Sequence, residues 1–186
     1  MIKQKKKISE ENMVLLAKKN RKHFSLLYNL YFERIYLFLL RRAESEDLAQ
    51  DLTQQTFVKA MLNIDKFEFK GFPFSSWLYR IGLNELNQFY RESKKRRTIS
   101  IDNSELPELM EELPTEENPI ITNDNLIKAF NVLTEGEITL LEMKYFEKKS
   151  HLEISEILGI TVANAKVKLH RVIKKMKEKM NNSLKI

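Results

Sequence analysis

Cysteine is absent from this 186-residue chain, which excludes disulfide bridges and cysteine metal sites and suits a reducing compartment. Glycine and proline occur only four times each, so few residues interrupt helices. No stretch approaches the roughly 18 consecutive apolar residues of a membrane-spanning helix, and no apolar run follows the basic N-terminus as it would in a signal peptide. We therefore expect an all-α, soluble protein in the cytoplasm, without membrane insertion.

Histidine is also scarce. His23, His151 and His170 lie too far apart in the sequence to suggest a catalytic or metal-binding cluster. The four glycines are too widely spaced for a phosphate-binding loop. We expect no catalytic residues, no metal and no cofactor, which favours a binding protein over an enzyme.

Charge divides the chain. The formal net charge is +6 and the pI about 9.3, which favours a polyanionic partner such as a nucleic acid. Residues 98–123 nevertheless carry seven acidic side chains, no basic one and three of the four prolines. We interpret this segment as a mostly extended acidic linker, with a short helix over 105–113 as the alternative. It would join two small helical domains, residues 13–97 and 124–180, flanked by tails 1–12 and 181–186.

Helical periodicity places the elements of both domains. In the first domain the pattern predicts helices over 13–18, 21–42 and 46–64, a loop over 65–73, and a further helix capped by Ser75 or Ser76. In the second it predicts helices over 124–133, 135–146, 151–158 and 162–180. Thr134 followed by Glu137 has the spacing of a capping box.

The stretch HLEISEILGITVANAKVKLHRVIKKM predicts a helix-turn-helix. Ser155 is small where two helices must cross closely, and Gly159 can take the left-handed conformation that ends a helix. Ile160 would fill the turn, and Thr161 would cap the next helix. The second helix of such a motif enters the major groove of DNA.

Helical geometry assigns the two sides of that second helix. Its core side would be Val162, Ala165, Leu169, Val172 and Met176, and its DNA side Ala163, Asn164, Lys166, Val167, His170, Arg171 and Lys174. Val167 could touch a thymine methyl, and Arg171 or Lys166 could bind guanine. The later lysines Lys174, Lys175 and Lys177 would hold phosphates. The alternative is a solvated helix end, because cations suit a helix C-terminus.

Aromatic residues crowd the stretch KGFPFSSWLYRI, where four rings lie between Phe72 and Tyr79. An aromatic ring can stack on a base that has left the duplex. Phe67, Phe69 and Phe72 are the loop residues we expect to be exposed, whereas Phe74 and Trp77 fit the core. The helix that follows places Arg80, Asn84, Asn87 and Arg91 on one polar stripe, which leads to the basic run 94–97.

Three motifs together resemble a known family. AQDLTQQTFVKA (49–60), FSSWLYRIGLNE (74–85) and the helix-turn-helix ending KVKLHRV are similar to those of bacterial RNA polymerase sigma factors of the extracytoplasmic-function (ECF) type. The resemblance covers roughly residues 14–97 and 125–179. Two positions depart from the usual pattern: a common Glu is Gln55, and a common Thr-Val pair is Asn164–Ala165. These departures leave the promoter preference open.

The resemblance implies a transcription initiation factor with core RNA polymerase and promoter DNA as partners. The first domain would bind polymerase through Asp51, Gln54 and Gln55, on the coiled coil of the polymerase clamp. Its loop and following helix would open the −10 element and capture one unpaired base. The second domain would read the −35 element. An anti-sigma partner is common in this family, but no motif identifies one here.

Two other functions remain open on the residues alone. A helix-turn-helix regulator that binds DNA without polymerase would explain the C-terminal domain but leaves residues 49–60 and the acidic linker without a role. A helical adaptor would use the aromatic loop as a protein interface. Transcription with and without core polymerase separates the three.

Overall fold

The computed structural model describes residues 8–93, 109 and 123–183. Within these ranges the chain forms eight α-helices and no strand, in agreement with the predicted all-α class. It divides into two compact units, Met1–Ser100 and Ile101–Ile186, as expected of two small helical domains. None of the helices in the described ranges combines the length and apolarity needed to cross a membrane.

The described part of unit 1, residues 8–93, forms four α-helices. They are α1 (Glu10–Lys19), α2 (Ser25–Leu40), α3 (Glu46–Leu62) and α4 (Phe74–Ser93), with single 3₁₀ turns at Arg21–Phe24 and Ile64–Lys66. Ser9 and Ser45 cap α1 and α3 by accepting hydrogen bonds from the first turn. Helices α2, α3 and α4 pack against one another around fully buried side chains such as Leu27, Phe38 and Leu86.

The start of α4 differs from the prediction. The helix begins at Phe74, so Ser75 and Ser76 lie inside it and are buried, and neither is the N-cap. The Phe74 N–H instead donates at 2.9 Å to Glu10 Oε1, a carboxylate from α1. A distant side chain therefore satisfies a helix-start donor for which the sequence suggested a local serine.

Residues 123–183 of unit 2 form the other four α-helices. They are α5 (Asn123–Phe130), α6 (Glu135–Leu141), α7 (His151–Leu158) and α8 (Val162–Ser183), and a π-helical turn, Glu142–Phe146, continues α6. The predicted capping box is present: the Glu137 N–H donates to Thr134 Oγ1, and the Thr134 N–H donates to Glu137 Oε2. Helices α5, α6 and α7 all pack on α8, which forms the centre of the unit.

The predicted linker and tails lie largely outside the described residues. The described residues of the predicted linker are Leu109 and Asn123. Leu109 is buried and helical, as the short-helix alternative requires at that position, and Asn123 begins α5. The basic run 94–97 and the N-terminal residues 1–7 also lie outside the described ranges. The domain boundaries drawn from the sequence remain predictions.

Candidate nucleic-acid interfaces

The turn between α7 and α8 has the backbone that a helix-turn-helix requires. Gly159 ends α7 with φ 65° and ψ 37°, a left-handed conformation that glycine adopts at little cost. The Ile160 N–H donates to the Ser155 carbonyl oxygen at 3.0 Å. Thr161 Oγ1 accepts from the Asn164 N–H at 3.1 Å and caps α8. The predicted turn and cap are therefore both present.

A second capping box, which the sequence analysis missed, opens the motif. Ser150 Oγ accepts from the Glu153 N–H at 3.2 Å, while the Ser150 N–H donates to Glu153 Oε2 at 2.9 Å. Burial alone would raise the pKa of Glu153, but the hydrogen bonds from Ser150 and the charge of Lys149 outweigh it and lower the pKa. The signal was readable: serine followed three residues later by glutamate.

Helix α8 exposes one side and buries the other. All seven residues predicted to face DNA are exposed: Ala163, Asn164, Lys166, Val167, His170, Arg171 and Lys174. The opposite side is buried through Ala165, Leu169, Val172 and Met176. The surface is available to a groove, and base contact at these positions remains a prediction.

Lys175, predicted to contact a phosphate, forms an ion pair within unit 2. Its Nζ donates to Glu137 Oε2 at 2.8 Å and ties α8 to the first turn of α6. Burial would raise the pKa of Glu137, but hydrogen bonds from Lys175 and Thr134 outweigh it, and the pKa is lowered. Lys175 is therefore paired with a carboxylate within unit 2. Lys174 is exposed, and its Nζ lies 3.9 Å from Glu178 Oε1.

In unit 1, α4 carries the predicted polar stripe on its outer side. Arg80, Asn84, Asn87 and Arg91 are all exposed, while Phe74, Leu78, Leu86 and Tyr90 are buried on the inner side. The stripe follows from the i, i+4, i+7, i+11 spacing of an amphipathic helix. It presents two guanidinium groups and two amides along about three turns of helix.

The aromatic loop, residues 67–73, corrects the sequence analysis. Phe67 and Phe72 were expected to be exposed and are buried, at 2% and 8% exposure, whereas Phe69 is 41% exposed. Phe67 packs edge-on against the buried Phe74 at 5.0 Å between ring centroids and lies 5.4 Å from Trp77. The rings of Phe67 and Phe72 thus complete the hydrophobic core beside α4. The sequence of the loop alone does not reveal that these rings are buried. Phe69 stands edge-on over Phe67 at 4.8 Å.

A cleft of about 320 Å³ lies between the end of α3 and the middle of α4. Its volume falls at the lower end of small-ligand pockets, about 300–1,000 Å³. It is lined by Lys59, Asn63, Lys66, Trp77, Ile81, Asn84 and Glu85. Glu85 is nearly buried and accepts from Lys59 Nζ. The sequence placed Asn84 on this face but missed Lys59 and Glu85, because their pairing depends on how α3 packs on α4.

The outer face of α3 carries the residues expected to bind protein. Asp51, Gln54 and Gln55 are exposed. Val58 and Leu62 continue the face towards the helix end and are 49% and 60% exposed. These two apolar residues, four apart, were not singled out in the sequence.

Two family models match the chain. Sigma-70 region 2 matches residues 27–97, and Sigma-70 region 4 matches residues 123–176. The chain belongs to the sigma-70 family of RNA polymerase sigma factors. In this sigma factor, region 2 spans nearly all of α2 together with α3 and α4, and region 4 spans α5 to α7 with most of α8.

Curated relatives place the sigma factor in the ECF group. It is 28% identical to RNA polymerase sigma factor YlaC of Bacillus subtilis over 167 residues, which is 89% of this chain and 96% of the relative. It is 27% identical to ECF RNA polymerase sigma factor SigM of the same organism, over 85% of this chain and 95% of the relative. Because both chains are covered almost throughout, the likeness is not confined to the helix-turn-helix.

Two solved structures are similar in fold. CnrH, solved in complex with the cytosolic domain of CnrY, has a TM-score of 0.57 and 20% identity and covers 91% of this chain and 96% of its own. RpoE of Bartonella quintana, solved with the anti-sigma factor NepR, has a TM-score of 0.57 and 21% identity and covers 86% of this chain and 98% of its own. At these identities the likeness concerns the fold.

Proposed function

We propose that this sigma factor divides promoter recognition between its two units. The aromatic loop and α4 open the −10 element, α8 reads the −35 element, and α3 holds core RNA polymerase. The proposal is supported by one observation above all: each segment that matches a sigma region carries an exposed polar surface of the chemistry that its task requires. A regulator acting without polymerase is not favoured, because it needs no region 2.

The −35 surface would combine specific and non-specific contacts. Arg171 would donate two hydrogen bonds to guanine, and Val167 would contact a thymine methyl. Lys174, further along α8, would hold a phosphate, which adds affinity without sequence information. The neutral residues Ala163 and Asn164 at the start of α8 allow the backbone to approach the base edges.

The −10 surface would take a base out of the duplex. Phe69 offers an exposed ring for stacking, which is worth about 1–3 kcal/mol per base. The cleft beside Trp77 and Asn84 offers polar groups for the base edge, and Arg80 and Arg91 would hold the strand by its phosphates. Because extruding one base costs a few kcal/mol, this surface can hold one base but not a long bubble alone. Polymerase must supply the rest.

Polymerase would dock on α3. Asp51, Gln54 and Gln55 form the polar part of the proposed contact with the clamp coiled coil. Val58 and Leu62 add an apolar end that would be covered on docking. A helix face of this mixed kind suits a reversible interface, in which apolar residues add affinity and polar residues set orientation.

The remaining partners are proposed from the family. RpoE was solved with an anti-sigma factor, and we propose that an anti-sigma partner also holds this chain. We further propose that it acts in the cytoplasm, where polymerase is, and that it has no catalytic activity of its own. The acidic linker, most of which lies outside the described residues, would follow a basic channel of polymerase. Co-purification from the native cell would identify the anti-sigma partner.

Transcription in vitro tests the whole proposal. Core polymerase from Bacillus subtilis, with and without this chain, is offered a randomised promoter library, and the transcribed templates are sequenced. We expect a two-part promoter to emerge only when the chain is present, and weak binding of duplex DNA by the chain alone. Tight binding of one duplex site without transcription would instead support a polymerase-independent regulator.

A further inference from the structure

Helix α1 holds the beginning of the aromatic loop, although it precedes the region 2 match, which starts at residue 27. Lys18 Nζ donates to the Phe67 carbonyl oxygen at 2.6 Å and to the Asp65 carbonyl oxygen at 3.4 Å. In the adjoining turn, Arg21 pairs with the Asp65 carboxylate at 2.7 Å. A charged donor makes a stronger hydrogen bond to a backbone carbonyl than a neutral donor does, so the Lys18 contact is a strong anchor on the loop backbone.

The same helix also holds the end of the loop. Glu10 Oε1 accepts from the Phe74 N–H at 2.9 Å, at the point where α4 begins. It also accepts from the Tyr31 hydroxyl of α2. A tyrosine hydroxyl is ordinarily protonated at neutral pH and can donate; burial, and then the hydrogen bond to Glu10, raise the pKa of Tyr31 further above its ordinary value.

The two anchors stand eight residues apart on one rigid helix, roughly 12 Å along its axis. Between them the loop contains Gly71 at φ 83°, a conformation open to glycine, and the exposed ring of Phe69. A short segment fixed at both ends has far fewer conformations than one fixed at a single end. The orientation of Phe69 is therefore set by α1 as well as by its own packing on Phe67.

We propose that α1 is a brace that presets the aromatic loop for promoter opening, with Lys18 and Glu10 as positioning residues. This inference rests on the proposed role of the loop at the −10 element. Neither side chain needs to touch DNA or polymerase. Their effect is to keep Phe69 in the orientation that accepts a displaced base, which lowers the ordering cost at the moment of opening.

The test compares Lys18→Met and Glu10→Gln with the matched controls Lys19→Met and Glu11→Gln, which alter exposed neighbours on the same helix. Each full-length variant is assembled with core polymerase on promoter DNA selected by the wild type. Permanganate reactivity of unpaired thymines measures opening, and fluorescence anisotropy measures polymerase affinity. We expect Lys18→Met to reduce opening about tenfold, as loss of a charged hydrogen bond implies. Polymerase affinity and both controls should stay at the wild-type level, and Lys18→Arg should recover most of the opening.

Two results would overturn the brace. Opening at the wild-type level in both Lys18→Met and Glu10→Gln would show that the anchors do not matter to the loop. Opening and polymerase affinity falling together, without rescue by Lys18→Arg, would show that α1 only stabilises the domain. Phe69→Ala separates this inference from the proposed function. If it opens promoters normally, the −10 role of the loop fails; if it is defective while the α1 variants are not, only the brace fails.

Discussion

Lys175 Nζ donates to Glu137 Oε2 at 2.8 Å, which ties α8, the helix proposed to read the −35 element, to the first turn of α6. Glu137 thereby serves two structures at once, because the same Oε2 also accepts from the Thr134 N–H in the capping box. The lysine thus links α8 to α6 within unit 2. At least one basic side chain of α8 therefore has a structural partner within unit 2, so the number of basic residues on the helix overstates the number free to contact DNA.

This contact predicts an acid-dependent loss of stability in unit 2. The pKa of Glu137 is lowered on folding from its ordinary 4.5, so its stabilisation is present above that value and is lost as pH falls through the folded pKa. Glu137→Gln should lower stability at pH 7 and flatten its decline below pH 4.5. The pKa of Glu153 is also lowered, so some decline of stability with falling pH should remain in the Glu137→Gln variant. Hydrogen exchange of the backbone amides of α6 and α8, corrected for intrinsic exchange rates, measures the stability of unit 2 at each pH. Glu178→Gln is the control. If the stability of Glu137→Gln declined with acid as steeply as that of the wild type, the assignment to Glu137 would be contradicted.

Arg171→Ala should relax −35 selectivity while leaving polymerase binding intact. A bidentate arginine–guanine contact is worth about 1–3 kcal/mol of discrimination, so the preference at one base pair should fall by roughly tenfold or more. Lys174→Ala is the comparison, since loss of a phosphate contact should weaken all sequences alike and reduce the salt dependence. Competition binding of holoenzyme to promoters with single −35 substitutions distinguishes the two. Equal loss on every sequence in both variants would remove Arg171 from base reading.

Asp51→Ala combined with Gln54→Ala should weaken polymerase binding and leave −35 selectivity intact. The double variant should bind core polymerase about tenfold more weakly, because two polar contacts of the proposed α3 face are removed. Its −35 selectivity, measured with polymerase in excess, should be unchanged. Asn29→Ala combined with Glu33→Ala removes the same two kinds of group from an exposed face of α2 and serves as control. If the control lost polymerase as strongly, α3 would not be the specific docking face.

Phe69→Ala and Phe67→Ala should separate function from folding. Phe67 is buried, and removing a buried phenylalanine costs about 3–5 kcal/mol of stability. Phe69 is exposed, so its removal should leave the free energy of unfolding nearly unchanged. It should nevertheless reduce −10 opening. Urea unfolding followed by Trp77 fluorescence, with permanganate footprinting alongside, makes the comparison. A large stability loss in Phe69→Ala would mean that the ring is structural.

Local patterns predicted the second unit well. The bounds His151–Leu158, the left-handed Gly159 and the Thr134 capping box all follow from interactions within a few residues, and the structure has each of them. The exposure of the seven α8 residues predicted to face DNA follows from helical periodicity alone. Short-range information is sufficient where the cap, the turn and the amphipathic side all agree.

Contacts between distant residues account for the errors. The Ser75 or Ser76 cap failed because Glu10, more than 60 residues earlier, reaches the Phe74 N–H. Phe67 and Phe72 were expected outside because loops are usually polar and exposed, yet these rings close the core. The pairing of Lys59 with Glu85 needed the packing of α3 on α4. Binding of DNA or polymerase by the exposed residues remains a prediction.

The close packing of α3 on α4 has a consequence for engineering. A Cβ placed on Gly82 would lie 3.3 Å from Thr56 Oγ1, so the two helices touch almost backbone to side chain at this crossing. The proposed polymerase face on α3 and the proposed −10 surface on α4 are therefore joined by a tight helix crossing. If α4 is replaced in a chimaera to import new −10 specificity, a larger residue at this position requires Thr56 to shift, which a matching α3 would allow. Under the proposed function, −10 specificity is then exchanged most simply as a helix pair, whereas α8 can be recoded one side chain at a time.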